Sequence, residues 1–280
     1  MPFTPSHAVV ALAFTRTPLV PAAIAVGAMA PDLPLFVRVV VPGYDITHDL
    51  AWLPVTVLLA LALLLLWRCV LRPATRALVP RWWAARLPSG WDAGARAAFR
   101  ETFARRGEPA RPSAGGVGLL ILALALGVLT HVVWDTFTHE GRWGVAVMPV
   151  LGEPWGPVSG ITWLQHTSSV VGLLVLGIWA LRWCAERRPS ATVPRAAPLL
   201  RWGWWAALPL LLLGAWLGGL AAFGPLTADF TVAHLAYRVL PVACAVWAGL
   251  TIVVALVATR GTTARHARDA ASFDETANPA

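Results

Sequence analysis

The chain has 280 residues, of which 58% are hydrophobic and only 13% are charged, and its formal net charge is +8. Soluble domains carry about 25% charged residues, so this composition excludes an ordinary soluble protein and predicts an all-α integral membrane protein. The chain contains no lysine, and its arginines concentrate in the connections between apolar runs. That placement favours a topology signal over a nucleic-acid surface, so the expected partner is the lipid bilayer and no nucleic acid is expected.

The first predicted elements are two short helices near the N-terminus. The sequence Pro5-Ser6-His7 before an apolar run is typical of a capped helix start, and Arg16-Thr17-Pro18 interrupts that run. A second helix is predicted from Pro21 to Ala30, ending at Pro31-Asp32. Each segment is too short to cross a bilayer alone. The two are therefore predicted to form a packed hairpin, which would bring His7 and Asp32 to the same end.

Five later apolar runs are long enough to span a bilayer, since about 20 apolar residues cross the hydrocarbon core. They are Ala51–Leu71, Gly116–Asp135, Ser168–Cys184, Gly203–Phe223 and Tyr237–Ala258. Residues 1–260 are therefore predicted to form one polytopic membrane domain. Within it, residues 68–115 form an arginine-rich cytoplasmic loop, with an amphipathic helix near 91–106 on the membrane surface. Residues 261–280 are polar and are predicted to form a disordered cytoplasmic tail.

The arginines mark one side of this predicted topology. Ten lie in the last turn of the first span or in the connection after it, five in the last turn of the third span or after it, and three follow the fifth. The opposite loops, about 136–167 and 224–236, contain one arginine, Arg142. Because positively charged loops stay in the cytoplasm, the arginine-rich segments and the C-terminus are predicted to be cytoplasmic in a bacterial plasma membrane. The end of the second span then faces outward.

The end of the second span carries a row of titratable residues. His131, Asp135 and His139 follow one another at intervals of four, and residues four apart on a helix share a face. A titratable group at membrane depth costs about 2.5–3.5 kcal/mol on insertion scales, so such groups tend to be functional. This row is therefore the strongest indication of chemistry in the chain.

Other histidines and carboxylates are predicted to reach the same depth. Two come from the N-terminal hairpin, and one directly precedes the first span. Histidine and aspartate suit zinc and related divalent ions, so we predict a metal site. The candidate metal ligands are His7, Asp32, His48, His131, Asp135 and His139, with Glu140 and His166 as candidate supporting residues.

Helix rise limits how the ligands of the second span can share ions. His131 and Asp135 lie about 6 Å apart along the axis, whereas His131 and His139 lie about 12 Å apart. Two arrangements remain open. Either Asp135 bridges two metal ions, or the helix ends before His139 and the chain folds back near Gly141.

Four segments carry a resemblance to a known family. They are MPFTPSH at residues 1–7, GAMAPDLP at 27–34, THVVWDTFTHE at 130–140 and LQHTSS at 164–169. Together they resemble the bacterial membrane family catalogued as domain of unknown function 4184, over most of residues 1–258.

More distantly, the order His, Pro-Asp, His, HxxxD is similar to the membrane-bound metal-dependent hydrolases and to zinc-dependent phospholipase C. That resemblance implies metal ligation by His7, Asp32, His48, His131, Asp135 and His139. Asp49 stands where the hydrolase-like pattern has serine, and no second HxxxE motif follows. A complete three-zinc phospholipase site is therefore not implied.

Two functions are consistent with these residues. The first is a membrane-bound metal-dependent hydrolase with zinc as cofactor, an outward interfacial site and a phosphoester or lipid-linked substrate. The alternative is a non-enzymatic membrane protein, an assembly partner or a transporter, in which the polar cluster is structural. Transport is the less favoured option, because the fourth and fifth spans contain few polar groups that could line a pathway.

Overall fold

Helices are the dominant secondary structure in the part of the chain that the structure describes. The computed structural model describes the backbone of residues 3–37 and 42–277, and the side chains up to Arg260. These ranges contain helices, turns and one isolated β-bridge, but no β-strand. The predicted all-α fold is confirmed. Met1 and Pro2 of the first sequence motif, and residues 278–280 of the predicted tail, lie outside the described residues.

Five helices are long and apolar enough to cross a membrane. They are Leu50–Leu78, Ala114–Thr138, Gly160–Ala185, Pro198–Phe223 and Val232–Arg260. Their exposed large side chains are mainly leucine, valine, isoleucine and tryptophan, which suit contact with lipid and its interface. The prediction of five spans is confirmed, and each helix extends beyond the apolar run that identified it.

Among the described residues, six α-helices have nine or more residues and are numbered α1 to α6. They are Pro21–Met29 (α1), Leu53–Leu66 (α2), Ala114–Thr138 (α3), Gly160–Ala185 (α4), Pro198–Phe223 (α5) and Val232–Ala277 (α6). A 3-10 helix, Thr4–Phe14, precedes α1.

Contacts divide the chain into two compact units. Unit 1 consists of Met1–Trp67 and Arg96–Glu186, and unit 2 consists of Arg68–Ala95 and Arg187–Ala280. The one predicted domain of residues 1–260 therefore has two parts. Every candidate metal ligand belongs to unit 1.

The N-terminal hairpin of unit 1 forms as predicted, but its first helix starts differently. The 3-10 helix begins at Thr4, with Phe3 before it and no side-chain cap. The predicted cap at Ser6 is therefore wrong. The hydroxyl of Thr4 instead donates a hydrogen bond to Oδ2 of Asp32, at 2.6 Å, where the chain continues from α1 into a second 3-10 helix, Ala30–Leu35. This contact joins the two ends of the hairpin.

Helices α1 and α3 approach so closely that their backbones touch. A Cβ atom on Gly27 would overlap the carbonyl oxygen of Leu124, and one on Gly127 would overlap the carbonyl oxygen of Ile24. Only glycine leaves room for this approach. As a result, the backbone at the end of α1 lies against the part of α3 that carries His131.

Helix α4 begins eight residues before the run predicted from the sequence. It starts at Gly160, and the side chain of Ser159 caps it by accepting a hydrogen bond from the backbone N–H of Thr162. Polar residues such as Gln165 lower the hydropathy of the first two turns, although they do not prevent helix formation. The predicted start at Ser168 is therefore wrong, whereas the existence of the span is confirmed.

The arginine-rich segment predicted as a loop begins as helix. A π-helical turn, Trp67–Leu71, and an α-helix, Arg72–Leu78, occupy its first residues. In unit 2, the buried guanidinium of Arg76 donates to the carbonyl oxygen of Ala84 at 3.2 Å and forms an ion pair with Asp92. Arginine tolerates burial when its donors are satisfied in this way. The predicted loop start at residue 68 is therefore too early.

Two further predictions concern helices outside the apolar runs. The amphipathic helix expected near residues 91–106 forms over Ala95–Thr102, and its place on the membrane surface stays a prediction. The tail predicted to be disordered from residue 261 differs from the structure, in which α6 continues to Ala277. Alanine, the most frequent residue in this tail, has the highest helix propensity.

Candidate metal centre

Four buried residues from three parts of unit 1 meet at one point. Asp32 comes from the hairpin, His48 follows the short helix Tyr44–Thr47, and His131 and Asp135 lie one turn apart on α3. Each offers one ligand atom, and these four atoms all lie within 4.8 Å of one another. The structure therefore brings together four of the six predicted ligands in a group that could hold a metal ion.

Hydrogen bonds to the backbone orient both imidazole rings of this group. Nδ1 of His131 lies 2.8 Å from the carbonyl oxygen of Ala28, and Nδ1 of His48 lies 3.0 Å from that of Tyr44. A carbonyl oxygen only accepts, so each Nδ1 carries the proton and donates it. In a neutral ring, Nε2 then carries a lone pair. Histidines that bind metals show this same arrangement, with the other ring nitrogen held by a carbonyl or carboxylate.

The two Nε2 atoms face each other across the centre of the group. They lie 3.2 Å apart, so two neutral imidazoles would direct lone pair against lone pair. Such an arrangement is repulsive unless a cation, either a proton or a metal ion, lies between the rings.

The two carboxylates surround the same point. Oδ1 of Asp32 lies 3.6 Å from Nε2 of His131 and 3.8 Å from that of His48. Oδ2 of Asp135 lies 3.5 Å from each of these nitrogens. Hydrogen bonds between nitrogen and oxygen are normally about 2.7–3.2 Å, so these four separations are too long for direct bonds.

The same separations fit the edges of a small coordination sphere. Zinc binds histidine nitrogen and carboxylate oxygen at about 2.0–2.2 Å, in tetrahedral geometry. Neighbouring ligand atoms of such a site therefore lie about 3.3–3.6 Å apart. The Nε2–Nε2 distance of 3.2 Å and the nitrogen–oxygen distances of 3.5–3.8 Å are close to this range. The chemistry and spacing of the four residues thus fit a group that could hold a metal ion.

His139 approaches the group from just beyond the end of α3. The helix ends at Thr138, and His139 has an extended backbone with φ −130°. Gly141, with φ +71°, then turns the chain back, a conformation that glycine adopts readily. Of the two arrangements left open by the sequence, the structure has the one in which the helix ends before His139.

His139 and His7 flank Asp135 on two sides. Nδ1 of His139 donates to the backbone carbonyl of Asp135 at 3.1 Å and lies 3.6 Å from its Oδ2. Nε2 of His7 lies 3.9 Å from Oδ1 of Asp135, and its ring centre lies 4.1 Å from that of His131. All six predicted ligands are therefore in or beside one cluster, and their roles as metal ligands stay predictions.

Three buried polar atoms of this cluster have no hydrogen-bond partner among the described residues. They are Nε2 of His7, Oδ1 of Asp32 and Nε2 of His139. Burial lowers the pKa of the His7 imidazole to about 3, with a further contribution from His131, and burial also lowers the pKa of His139. Both rings are neutral at pH 7 and have lone pairs available for a metal ion.

Several residues that position the cluster were not predicted from the sequence. Thr4 holds Asp32, the ring of Tyr44 stacks on His48 at 3.8 Å between ring centres, and the hydroxyl of Thr47 lies 3.3 Å from Nδ1 of His48. Thr138 lies 3.5 Å from Oδ1 of Asp135. The one available signal was proximity in sequence, since each threonine lies within three residues of a predicted ligand.

The two candidate supporting residues lie outside the cluster contacts that the structure describes. Glu140 and His166 are both exposed. The neighbouring Gln165 instead donates from its side-chain nitrogen to the carbonyl oxygen of Thr138, and so links α4 to the end of α3. A supporting role for Glu140 or His166 stays a prediction.

Comparison with known proteins assigns the chain to a family. The family model described as "Domain of unknown function (DUF4184)" matches residues 1–261. The chain belongs to the DUF4184 family. No curated protein and no solved structure matches it. The family resemblance stated from the sequence is thereby confirmed, whereas the more distant similarity to metal-dependent hydrolases stays a prediction.

Proposed function

We propose that this DUF4184 protein is a membrane-embedded, metal-dependent hydrolase. Its metal ion, zinc or a similar divalent ion, is held by Asp32, His48, His131 and Asp135. His7 and His139 complete the site around Asp135. The observation that carries the proposal is the pair of Nε2 atoms 3.2 Å apart, each on a ring whose Nδ1 proton is already donated to a backbone carbonyl.

The donor set supports zinc-type hydrolytic chemistry. Imidazole nitrogen and carboxylate oxygen are ligands of catalytic zinc sites. When bound, such an ion polarises a phosphoryl or acyl oxygen and lowers the pKa of its bound water to about 7. The side chains of Asp32 and His131 are almost fully buried, so they exclude bulk water and hold the ion in fixed geometry.

The position along α3 supports a substrate that lies in the membrane. Asp135 is three residues before the end of a 25-residue apolar helix, about 5 Å along its axis. This position supports a cluster near the boundary of the hydrocarbon core, since about 20 apolar residues cross that core. A lipid-linked ester or phosphoester has its reactive group at that depth, and the sequence predicts that this side faces outward.

Metal analysis of purified protein tests the proposal. We expect zinc or a related ion in the wild-type protein and its loss from Asp135→Asn, because the variant removes the carboxylate charge while keeping its size. Asp45→Asn is the matched control, since Asp45 is exposed. Hydrolysis of a nitrophenyl phosphodiester in detergent micelles should stop in Asp135→Asn and on chelation. Metal-free wild-type protein that takes up no zinc would contradict the proposal.

A second candidate function is a non-enzymatic membrane protein in which the cluster is structural. The observation that favours it is that two histidines and two carboxylates lie close together. If protonated, either histidine would form ion pairs with the carboxylates. Under this alternative, His131→Ala lowers the unfolding temperature, and chelators leave the wild-type protein unchanged. His166→Ala, at an exposed histidine of α4, is the control.

A further inference from the structure

An apolar groove of unit 1 leads directly to the candidate metal centre. It has a volume of about 490 Å³ and lies between the N-terminal 3-10 helix, α3 and α4. This volume is within the range of roughly 300–1,000 Å³ that is usual for sites of small molecules. Its walls are formed mainly by Val9, Val10, Leu164, Val171 and Val175.

One residue of the groove wall, His7, lies beside the candidate metal group. His7 lines the groove, and its side chain is only 6% exposed. Its Nε2 has no hydrogen-bond partner among the described residues and lies 3.9 Å from Oδ1 of Asp135. Ser6 and Ser168 line the groove as well. The groove therefore has mainly apolar walls and a few hydrogen-bonding side chains, one of which is beside the candidate metal group.

The groove opens toward the surroundings of the helices through apolar side chains. Val171 is 51% exposed, and Trp134 and Val175 at the groove are also exposed. Among the described residues that line the groove, none is an aspartate, a glutamate or an arginine. Because α3 and α4 are both candidate membrane spans, the medium at this opening is the hydrocarbon of the bilayer. An acyl chain that enters the groove from the surrounding lipid would not have to cross water.

The length of the groove matches one leaflet. Along α4 its lining runs from Leu164 to Val175, which is about 16 Å at a rise of about 1.5 Å per residue. Half of the hydrocarbon core is about 15 Å. The lining of the groove along α4 is therefore about as long as one leaflet is thick.

We propose that this groove binds one acyl chain of a membrane phospholipid and thereby places its ester or phosphoester group at the metal centre. This inference rests on the proposed function and specifies its substrate class. The chain is recognised by the neutral apolar walls, and the polar head by His7 and the ion held beside it. The 3-10 helix is a wall of the groove and carries His7, so one element contacts both parts of the lipid.

Photolabelling with a lipid tests this inference. The full-length protein is placed in vesicles of phosphatidylethanolamine and phosphatidylglycerol that include a phosphatidylglycerol with a diazirine on its acyl chain. Mass spectrometry after irradiation then locates the attached chains. We expect adducts concentrated on Val9, Val10, Val171 and Val175 rather than spread evenly over exposed residues of α4.

Two neighbouring valines of α4 provide a matched pair of variants. Val171 lines the groove, whereas Val170, which is 58% exposed, does not. In Val171→Trp the indole fills the groove, and labelling there should fall by about tenfold, the effect of displacing roughly two buried methylene groups. In Val170→Trp labelling should be unchanged. Equal labelling of the two variants would overturn the inference.

The metal content of the same samples separates this inference from the proposed function. If the protein binds metal but the lipid label is spread evenly, the groove is not an acyl-chain site, whereas the proposed metal centre is still supported. Groove-specific labelling in a protein that binds no metal supports the acyl-chain site but contradicts the hydrolase.

Discussion

His131 links the candidate metal centre to the backbone of another helix. Its Nδ1 proton is donated to the carbonyl oxygen of Ala28, so its Nε2 is directed at His48 and the two carboxylates. A backbone carbonyl cannot be removed by substitution at Ala28. The orientation of this ring therefore depends on where α1 lies rather than on the side chain that α1 presents.

The hydroxyl of Thr4 orients the carboxylate of Asp32 in a similar way. It donates to Oδ2 at 2.6 Å and leaves Oδ1 directed at the two histidines. In Thr4→Val, which keeps the side-chain shape, we expect the affinity for zinc to fall by about 10–100-fold, as is usual when a contact behind a ligand is lost. Competition with a chelating dye measures this affinity.

Thr15→Val is the control for that variant. Thr15 lies in the same hairpin, and its hydroxyl donates to the carbonyl oxygen of Leu12, which is not part of the cluster. Equal zinc affinities for the two variants would show that Thr4 does not position Asp32.

Residue types predicted the candidate ligands but not the groups that orient them by hydrogen bonds. His131 and Asp135 were predicted because titratable groups are costly at the end of an apolar run, and His7 and Asp32 because a hairpin of two short helices returns to its starting end. The acceptor of His131 is a backbone carbonyl, which every residue has. No residue type could therefore indicate that the carbonyl oxygen of Ala28 would accept this hydrogen bond.

At the scale of elements, the contact between α1 and α3 is set by glycine. In Gly127→Ala the new methyl group would overlap the carbonyl oxygen of Ile24 and the backbone nitrogen of Ala28, and neither atom can move by a change of rotamer. We expect a loss of about 1–3 kcal/mol of stability, as for overpacked cores, together with weaker metal binding. Thermal unfolding in detergent measures the first effect.

Gly118→Ala, on the same helix, is the matched control. A Cβ atom there meets open space, so this variant should be neutral or more stable by up to about 1 kcal/mol, because alanine favours helix. A similar loss of stability in both variants would show that the α1–α3 contact is not the cause.

The limits of helix prediction are visible at α4 and at the first span. The apolar pattern predicts that α4 starts at Ser168, but the helix starts after its cap, Ser159. The pattern also predicts that the first span ends at Leu71, but the helix continues to Leu78, and Arg76 is buried with its donors satisfied by the protein. Hydropathy predicts which segments span the membrane, whereas local hydrogen bonds determine where each helix begins and ends.

A metal ion bound at the proposed centre would stabilise the whole folded protein against unfolding. A ligand that binds only the folded state stabilises it by about 2.7 kcal/mol at roughly 100 times its Kd. We therefore expect a chelator to lower the Tm of the wild-type protein and added zinc to restore it. Differential scanning fluorimetry measures both steps.

Asp135→Asn should show neither response, while Asp45→Asn should behave as the wild type. A wild-type Tm that does not change with chelator or zinc would contradict metal binding by the folded state.

The orientation of the whole chain in the membrane also stays a prediction. Glu153 lies in the arginine-poor loop between the second and third spans, and Arg188 in the arginine-rich connection after the third, and both are exposed. With Cys69, Cys184 and Cys244 replaced by alanine, Glu153→Cys in intact cells should react with a membrane-impermeant maleimide. Arg188→Cys should react only after the cells are opened, since positively charged loops are retained inside.

The same reactivity of both cysteines in intact cells would contradict the predicted orientation. The reverse pattern would place the metal centre on the cytoplasmic side.

The hydrogen bond between His131 and Ala28 also has a consequence for biogenesis. It joins residues that are 103 positions apart in the chain, and ribosomes add about 5–20 residues per second. The hairpin is therefore synthesised about 5–20 s before the helix that completes its packing. Because neither of its short helices can cross the bilayer alone, we expect the hairpin to stay at the membrane surface early in synthesis. The candidate metal centre is complete only when α3 has been made, although part of it comes from the segment that is made first.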